Sequence, residues 1–195
     1  MGFWDALFGR TKQVKPDLDQ LFGLPSAAIT LQAAMGFTPT GLGSVCFASI
    51  EGGAFAQVRQ DMQDLLDADP ERGGMPVELS RDAYGYSWLL VHRAPDDLIS
   101  LVNDLHAVNT ALEESGFGPQ LLCSLVGFHD AELRTLALVY LYKRGTFYPL
   151  CIRPGQQKRD NPLEMQISTL LRNDLRIEQD LSRWFPLWDA PGMVG

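Results

Sequence analysis

Apolar positions along the chain recur with two different periods, and these periods predict the order of the elements. A spacing of three to four residues predicts amphipathic helices in a broken segment over 16–36, from Gly53 to Pro70, from Pro95 to Gly116 and from 161 to 185. Compact apolar runs of strand length lie between them, at 45–50, 77–80, 84–93, 121–128, 135–142 and 147–152. We therefore expect helix, strand, helix, two strands, helix, two or three strands, and helix.

Several local signals set the expected boundaries of these elements. Gly36 is typical of a helix end, and the TPTGLG stretch after it predicts a loop before the first strand. Asn161 followed by Pro162 is typical of a helix N-cap and first turn, so the last helix is expected to begin there. Pro149 cannot donate a hydrogen bond to a neighbouring strand, which places the last predicted strand at an edge of the sheet.

Short turns between consecutive strands favour an antiparallel sheet. The fold class expected is α+β: a single, mostly antiparallel sheet of five or six strands with about four helices packed on it. A chain of 195 residues without internal repeats or long linkers is the size of one domain. We expect an amphipathic N-terminal segment over 1–15, one α+β domain over 16–188 and a C-terminal tail over 189–195.

Composition and charge exclude several functional classes. The net charge of −8 argues against broad binding to nucleic acid, because phosphate neutralisation requires a clustered positive face. No apolar run reaches the length of about 18 to 20 residues that a membrane span requires. The first residues contain Asp5 and lack the apolar block of a signal peptide, so we expect a cytoplasmic protein.

Residues that could carry catalysis or bind a metal lack the spacing that such chemistry needs. Neither the cysteines nor the histidines form a ligand motif, and no nucleophile has a base signalled near it in sequence. We therefore expect no enzyme activity, no metal and no cofactor. The residues concerned are Cys46, Cys123, Cys151, His92, His106 and His129.

Aromatic side chains alternate with basic ones in two of the predicted hairpins. Lys143 and Arg144 occupy a turn between aromatic strands, and a second aromatic run contains Tyr84, Tyr86 and Trp88. Such a pattern occurs where aromatic residues pack across neighbouring strands, and also where a patch binds an anionic ligand or a peptide. Both interpretations remain open for these five residues.

The N-terminal segment combines apolar and basic residues in an otherwise acidic chain. Its aromatic and aliphatic residues share one helical face, and its basic residues follow them: Phe3, Trp4, Leu7 and Phe8, then Arg10, Lys12 and Lys15. This layout is typical of a segment that contacts an anionic membrane surface. Packing against the domain itself, or against a partner helix, is the alternative.

Long stretches of the chain resemble the bacterial family of PspA-associated proteins called PspAB. The stretches are LDQLFGLPSAAITLQAAMGFTPTG, EGGAFAQV, SRDAYGYSWLL, DLHAVNTALEESGFGPQLLCSLVGF, LALVYLYKRGTFYP and NDLRIEQDLSRWFP. The resemblance implies an accessory of the phage-shock response, in which the coiled-coil protein PspA guards the cytoplasmic membrane under envelope stress. The order of elements also loosely resembles the secretion-chaperone-like fold, although the helix after Gly53 departs from it.

Two functional hypotheses follow. The first is a non-enzymatic accessory protein that binds a protein partner such as PspA, near the inner face of the cytoplasmic membrane. The alternative is a small-ligand-binding protein, or an enzyme, with a pocket lined by strand aromatics and by Lys143 and Arg144. A pocket that holds convergent polar groups of perturbed pKa would favour the alternative, and a broad exposed apolar face with no such pocket would favour the first.

Overall fold

The computed structural model describes residues 16–48, 52–68, 70, 77–153 and 155–193. Within these ranges the chain forms four α-helices, six strands and several short helical turns. The helices are α1 (Leu24–Met35), α2 (Gly53–Asp67), α3 (Leu98–Leu112) and α4 (Asn161–Leu170). The strands are β1 (Thr38–Ala48), β2 (Glu78–Arg81), β3 (Tyr86–His92), β4 (Leu121–His129), β5 (Thr135–Leu141) and β6 (Thr146–Ile152).

All six strands join one antiparallel sheet in the order β2-β3-β1-β4-β5-β6. The predicted α+β class, with a largely antiparallel sheet and about four helices, is thereby confirmed. β6 lies at an edge of the sheet, as predicted. Pro149 is tolerated there because an edge strand does not need every backbone N–H for pairing.

β1 begins seven residues earlier than the sequence predicts, because the expected TPTGLG loop is part of the strand. The register against β4 shifts between Pro39 and Gly43, which marks a bulge. Gly41 lies in this bulge with a φ of 81°. Its carbonyl oxygen accepts a hydrogen bond of 2.8 Å from the N–H of Arg93. The glycines therefore allow the strand to bend rather than end.

The last helix differs from its prediction at both ends. Asp160, not Asn161, is the N-cap, and its carboxylate accepts a hydrogen bond from the N–H of Leu163. α4 is only 10 residues long instead of continuing to 185. The chain beyond it pairs with the free edge of β6, where the N–H of Glu178 donates to the carbonyl of Phe147. This strand pairing overrides the helical periodicity of the sequence.

The two faces of the sheet are covered by different parts of the chain. On one face, α1 and α3 pack over the core, and the Asn109 amide of α3 donates to the Ser124 hydroxyl at 2.9 Å. Neighbouring strand residues point to the opposite face. On that face the Ser44 hydroxyl donates to the carbonyl of Pro191 at 2.7 Å. The C-terminal segment over 177–193 therefore covers the face of the sheet on which α1 and α3 do not pack.

Residues 189–193 belong to the predicted C-terminal tail, and this described part of the tail is packed on the sheet. Ala190 and Met193 are both buried. A Cβ added at Gly127 would lie 2.2 Å from the carbonyl oxygen of Gly192, so the two backbones are in close contact. The predicted amphipathic segment over 1–15 lies outside the described residues.

Candidate functional site

A cavity of about 460 Å³ opens on the face of the sheet that the C-terminal segment crosses. Its floor is a single row of side chains across four neighbouring strands: Trp88, Cys46, Cys123 and Leu141. Each of them lies directly opposite the next, so all four point to the same face of the sheet. All are at least nine-tenths buried, which makes the floor of the cavity apolar.

The five aromatic and basic residues singled out in the sequence all line this one cavity. Trp88 belongs to the floor, and Tyr84, Tyr86, Lys143 and Arg144 surround the mouth. They meet because the β2–β3 turn and the β5–β6 turn lie at the same end of the antiparallel sheet. The structure thus brings the predicted patch together, and its function remains a proposal.

The C-terminal segment forms the remaining wall of the cavity. Its lining residues are Arg183, Phe185, Pro186, Leu187 and Trp188. The Tyr148 hydroxyl donates to the carbonyl of Phe185 at 2.9 Å, and the rings of Tyr148 and Trp184 stack at 5.9 Å. This wall was not predicted, because the last predicted helix continues to residue 185 and so includes the start of the wall. The apolar run over 185–188, close to the end of the chain, is the signal that indicates a packed segment.

A buried carboxylate holds this segment to the β5–β6 turn. Glu178 is 3% exposed and accepts hydrogen bonds from Thr146 at 2.7 Å, Arg144 at 3.1 Å and the N–H of Asp180 at 3.1 Å. Burial alone would raise the pKa of the Glu178 carboxyl, but these three hydrogen bonds outweigh burial and lower its pKa below the usual value. The cavity wall is therefore tied to a group that is charged at neutral pH.

Asp82 fixes the aromatic side of the cavity. Its carboxylate accepts hydrogen bonds of 2.9 Å from the indole N–H of Trp88 and from the backbone N–H groups of Tyr84 and Tyr86. Burial opposes the charge, but the hydrogen bonds lower the pKa of Asp82 below its usual value. The carboxylate thereby orients the floor indole and shapes the β2–β3 turn at once.

These shifts predict a loss of stability in acid. A carboxyl whose pKa is depressed by folding stabilises the native state above its unfolded pKa, and this contribution disappears as pH falls through the folded value. Glu178 has an ordinary pKa of 4.5 and Asp82 one of 3.8. We expect the thermal midpoint to change little from about pH 7 to 5 and to fall steadily below about pH 4.5.

A thermal denaturation series over this pH range measures the effect. Glu178→Gln serves as the matched variant, because glutamine keeps the shape of the side chain without its titration. We expect this variant to be less stable at neutral pH and to lose less stability on acidification. A midpoint that stays constant down to pH 3 would contradict the assigned shifts.

The mouth of the cavity presents three cationic side chains. Lys143 is exposed and has no ion-pair or hydrogen-bond partner among the described residues. Arg144 and Arg183 each donate through Nε to an acid at 3.1 Å, Glu178 and Asp180 respectively. The mouth therefore presents three cations, of which only Lys143 lacks an acidic partner among the described residues.

The cysteines and histidines singled out in the sequence fall into two groups, one in the cavity floor and one outside the lining. A hydrogen bond with Cys123, together with burial, raises the pKa of the Cys46 thiol, so this thiol stays protonated at neutral pH. His92 pairs with Glu78 and His106 with Asp19, away from the lining. Within the part of the chain that the structure describes, no three or more His, Cys, Asp and Glu side chains cluster as a metal site.

The predicted contact residues of the N-terminal segment lie outside the described residues. These are Phe3, Trp4, Leu7, Phe8, Arg10 and Lys12. Among the helices that are described, none combines the length and the hydropathy of a bilayer-crossing segment.

The comparisons with known proteins concern nearly the whole chain. The family model described as PspAB, PspA associated protein B, matches residues 1–192. No curated protein and no solved structure matches the chain. The matched range includes the cavity, both of its turns, its C-terminal wall and residues 1–15. Since the match extends over almost its full length, the chain belongs to the family of PspA-associated proteins B.

Proposed function

We propose that this protein is a non-enzymatic accessory protein of the bacterial phage-shock response, which binds PspA close to the cytoplasmic membrane. Membership of the PspA-associated family supports the partner. The convergence of Tyr84, Tyr86, Trp88, Lys143 and Arg144 on one apolar cavity supports the location of the contact. The mouth of this cavity is the proposed contact surface.

The side chains at the mouth are of the kinds that contribute most to protein interfaces. Tyr84 is 75% exposed, Phe185 54% and Tyr86 42%, although all three are large and apolar. Tyrosine, tryptophan and arginine are enriched among the residues that dominate binding energies. Exposed aromatic rings beside a pocket can anchor a bound partner. The neighbouring cations would orient an acidic surface of that partner towards the cavity mouth.

The direct test is a titration of purified PspA into the full-length protein by isothermal titration calorimetry. We expect saturable binding whose affinity decreases with added salt, because the basic mouth contributes to the encounter. PspA that gives no heat and does not co-elute with the protein in size-exclusion chromatography would contradict the proposed partner.

We further propose that the N-terminal segment gives the protein a weak, salt-sensitive contact with anionic membranes. Three basic residues against one acid leave residues 1–15 with a charge of +2 in an otherwise strongly acidic chain. Attraction of about 1 kcal/mol per basic residue near the surface would add to insertion of the apolar residues. We expect co-sedimentation with anionic vesicles that decreases at high salt and is absent with neutral vesicles.

Replacing both Trp4 and Phe8 by alanine is the matched variant for this membrane contact. Vesicle binding should be lost while the thermal midpoint stays unchanged, because a terminal segment outside the core contributes little to stability. A midpoint several degrees lower would instead mean that the segment packs against the domain.

The size and the lining of the cavity favour a second candidate function, the binding of a small ligand. Its volume of about 460 Å³ falls in the range of about 300 to 1,000 Å³ that small-molecule sites occupy. Its lining combines apolar walls with a few polar groups, which is the usual composition of such sites.

A further inference from the structure

We infer that the cavity binds a small amphiphilic anion, with its apolar body on the sheet and its acidic group among Lys143, Arg144 and Arg183. This inference rests on the second function proposed above, ligand binding. It shares the cavity mouth with the proposed PspA contact, but the two are measured in separate titrations. It specifies the chemistry of the ligand as one alkyl or aromatic body carrying a single carboxylate-like group.

The depth of the cavity selects for an apolar body. Trp88 and Leu141 are 2% and 8% exposed, and the two thiols between them are similarly buried. The Cys46 thiol stays uncharged because its pKa is raised, so the floor presents no charge to a ligand. Moving a polar or charged group onto such a floor without hydrogen-bond partners costs free energy, whereas apolar surface is stabilised there.

The mouth supplies the preference for a negative charge. Arg144 and Arg183 use their Nε–H groups in ion pairs, and no other hydrogen bond of these two guanidinium groups occurs among the described residues. The terminal amino groups of both forks can therefore donate to a carboxylate, which guanidinium groups bind in a two-pronged manner. Lys143 adds a mobile third donor beside them.

The acidic groups near the cavity already have donors of their own. Asp180, outside the lining, accepts from Arg183 at 3.1 Å and from the N–H and hydroxyl of Ser182. Among the described lining residues Asp82 is the only acid, and its carboxylate already accepts three N–H donors from its own turn and from Trp88. Glu178 is 3% exposed behind Arg144, so the mouth presents the guanidinium group rather than the carboxylate. An incoming anion thus meets donors at the mouth and apolar surface beneath them.

Two probes with the same alkyl chain and opposite head groups test the inference. Dodecanoate and dodecyltrimethylammonium are titrated into the full-length protein by isothermal titration calorimetry, below their micelle concentrations. We expect one-site binding of dodecanoate that is at least about tenfold tighter than that of the cation, in line with charge-assisted hydrogen bonds. Equal binding of both probes, or no binding of dodecanoate, would overturn the inference.

Matched variants locate the two parts of the ligand. Lys143→Glu should weaken dodecanoate about tenfold, while Lys158→Glu, an equal charge change at an exposed position outside the lining, should leave binding unchanged. Leu122→Trp places a bulky side chain in the cavity and should abolish binding of dodecanoate.

Circular dichroism of each variant checks that the domain stays folded. Should Leu122→Trp fail to fold, Lys143→Glu alone decides, because its side chain is exposed. Dodecanoate that binds all folded variants equally well would place the ligand elsewhere and overturn the assignment. Because PspA binding has its own titration, failure of the ligand inference leaves that result readable by itself.

Discussion

Replacing Arg159 by leucine is expected to lower the free energy of unfolding by about 3 to 5 kcal/mol, because it leaves a buried carboxylate without its cation. Glu164 is 1% exposed and accepts hydrogen bonds of 2.9 Å from the Arg159 guanidinium and from the backbone N–H of Cys151. Arg159 also donates to the carbonyl of Trp184, which holds the start of the cavity wall. The change should therefore loosen this wall as well as the base of α4.

Urea denaturation followed by circular dichroism measures this loss. The matched control is Arg153→Leu, since Arg153 is 42% exposed and lies 3.6 Å from Asp160. An exposed pair of this kind contributes about 0 to 1 kcal/mol, so the control should hardly shift the midpoint. The double variant Arg159→Leu with Glu164→Leu should recover much of the loss. Equal effects of Arg159→Leu and Arg153→Leu would contradict the burial assigned to the pair.

Gly41→Ala is expected to destabilise the fold by about 2 to 5 kcal/mol through two separate effects. The φ of 81° at this position is strained for any residue with a Cβ. In addition, the new Cβ would lie 2.2 Å from the carbonyl oxygen of Arg93, a contact that only movement of the backbone can relieve. The bulge in β1 would therefore have to open.

Gly36→Ala separates the two effects. Gly36 has a φ of 74°, but a Cβ added there would meet nothing within 4 Å. We expect this variant to lose only about 1 to 2 kcal/mol, the cost of the left-handed conformation alone. Chemical denaturation of both variants gives the comparison. Equal losses of stability in the two variants would contradict the close approach of the Arg93 carbonyl to Gly41.

The sequence predicts those elements whose periodicity agrees with their surroundings. α3, β3 and the β5–β6 hairpin appear where expected, because their apolar residues face the core. β2 also appears where expected, although its four residues are exposed. The first strand and the last helix are predicted less well. A bulge at Gly41 lets β1 continue through residues that usually form a loop. Beyond Leu170 the chain leaves the helix, although its helical periodicity continues, and pairs with the edge of β6. Neither event leaves a local signal in the sequence.

The candidate site shows the same division. The aromatic and basic residues of the two turns are recognisable in sequence because both kinds are concentrated within a few positions. Their meeting in one cavity depends on the order of strands, which places both turns at the same end of the sheet. The apolar run over 185–188 indicates a packed segment, but its place beside the thiols of Cys46 and Cys123 depends on long-range pairing that the sequence does not show.

The most direct measurement of the central claim is the affinity of PspA for matched pairs of surface variants, determined by calorimetry. Tyr86→Ala and Lys143→Glu change the cavity mouth. As controls, Leu133→Ala removes another exposed apolar side chain and Lys158→Glu makes the same charge change, both outside the lining of this cavity. Loss of an interface anchor typically costs at least about 1 to 2 kcal/mol, so each mouth variant should bind PspA about tenfold more weakly. The two control variants should bind like the unmodified protein. Mouth variants that bind PspA with unchanged affinity would contradict the proposed contact surface.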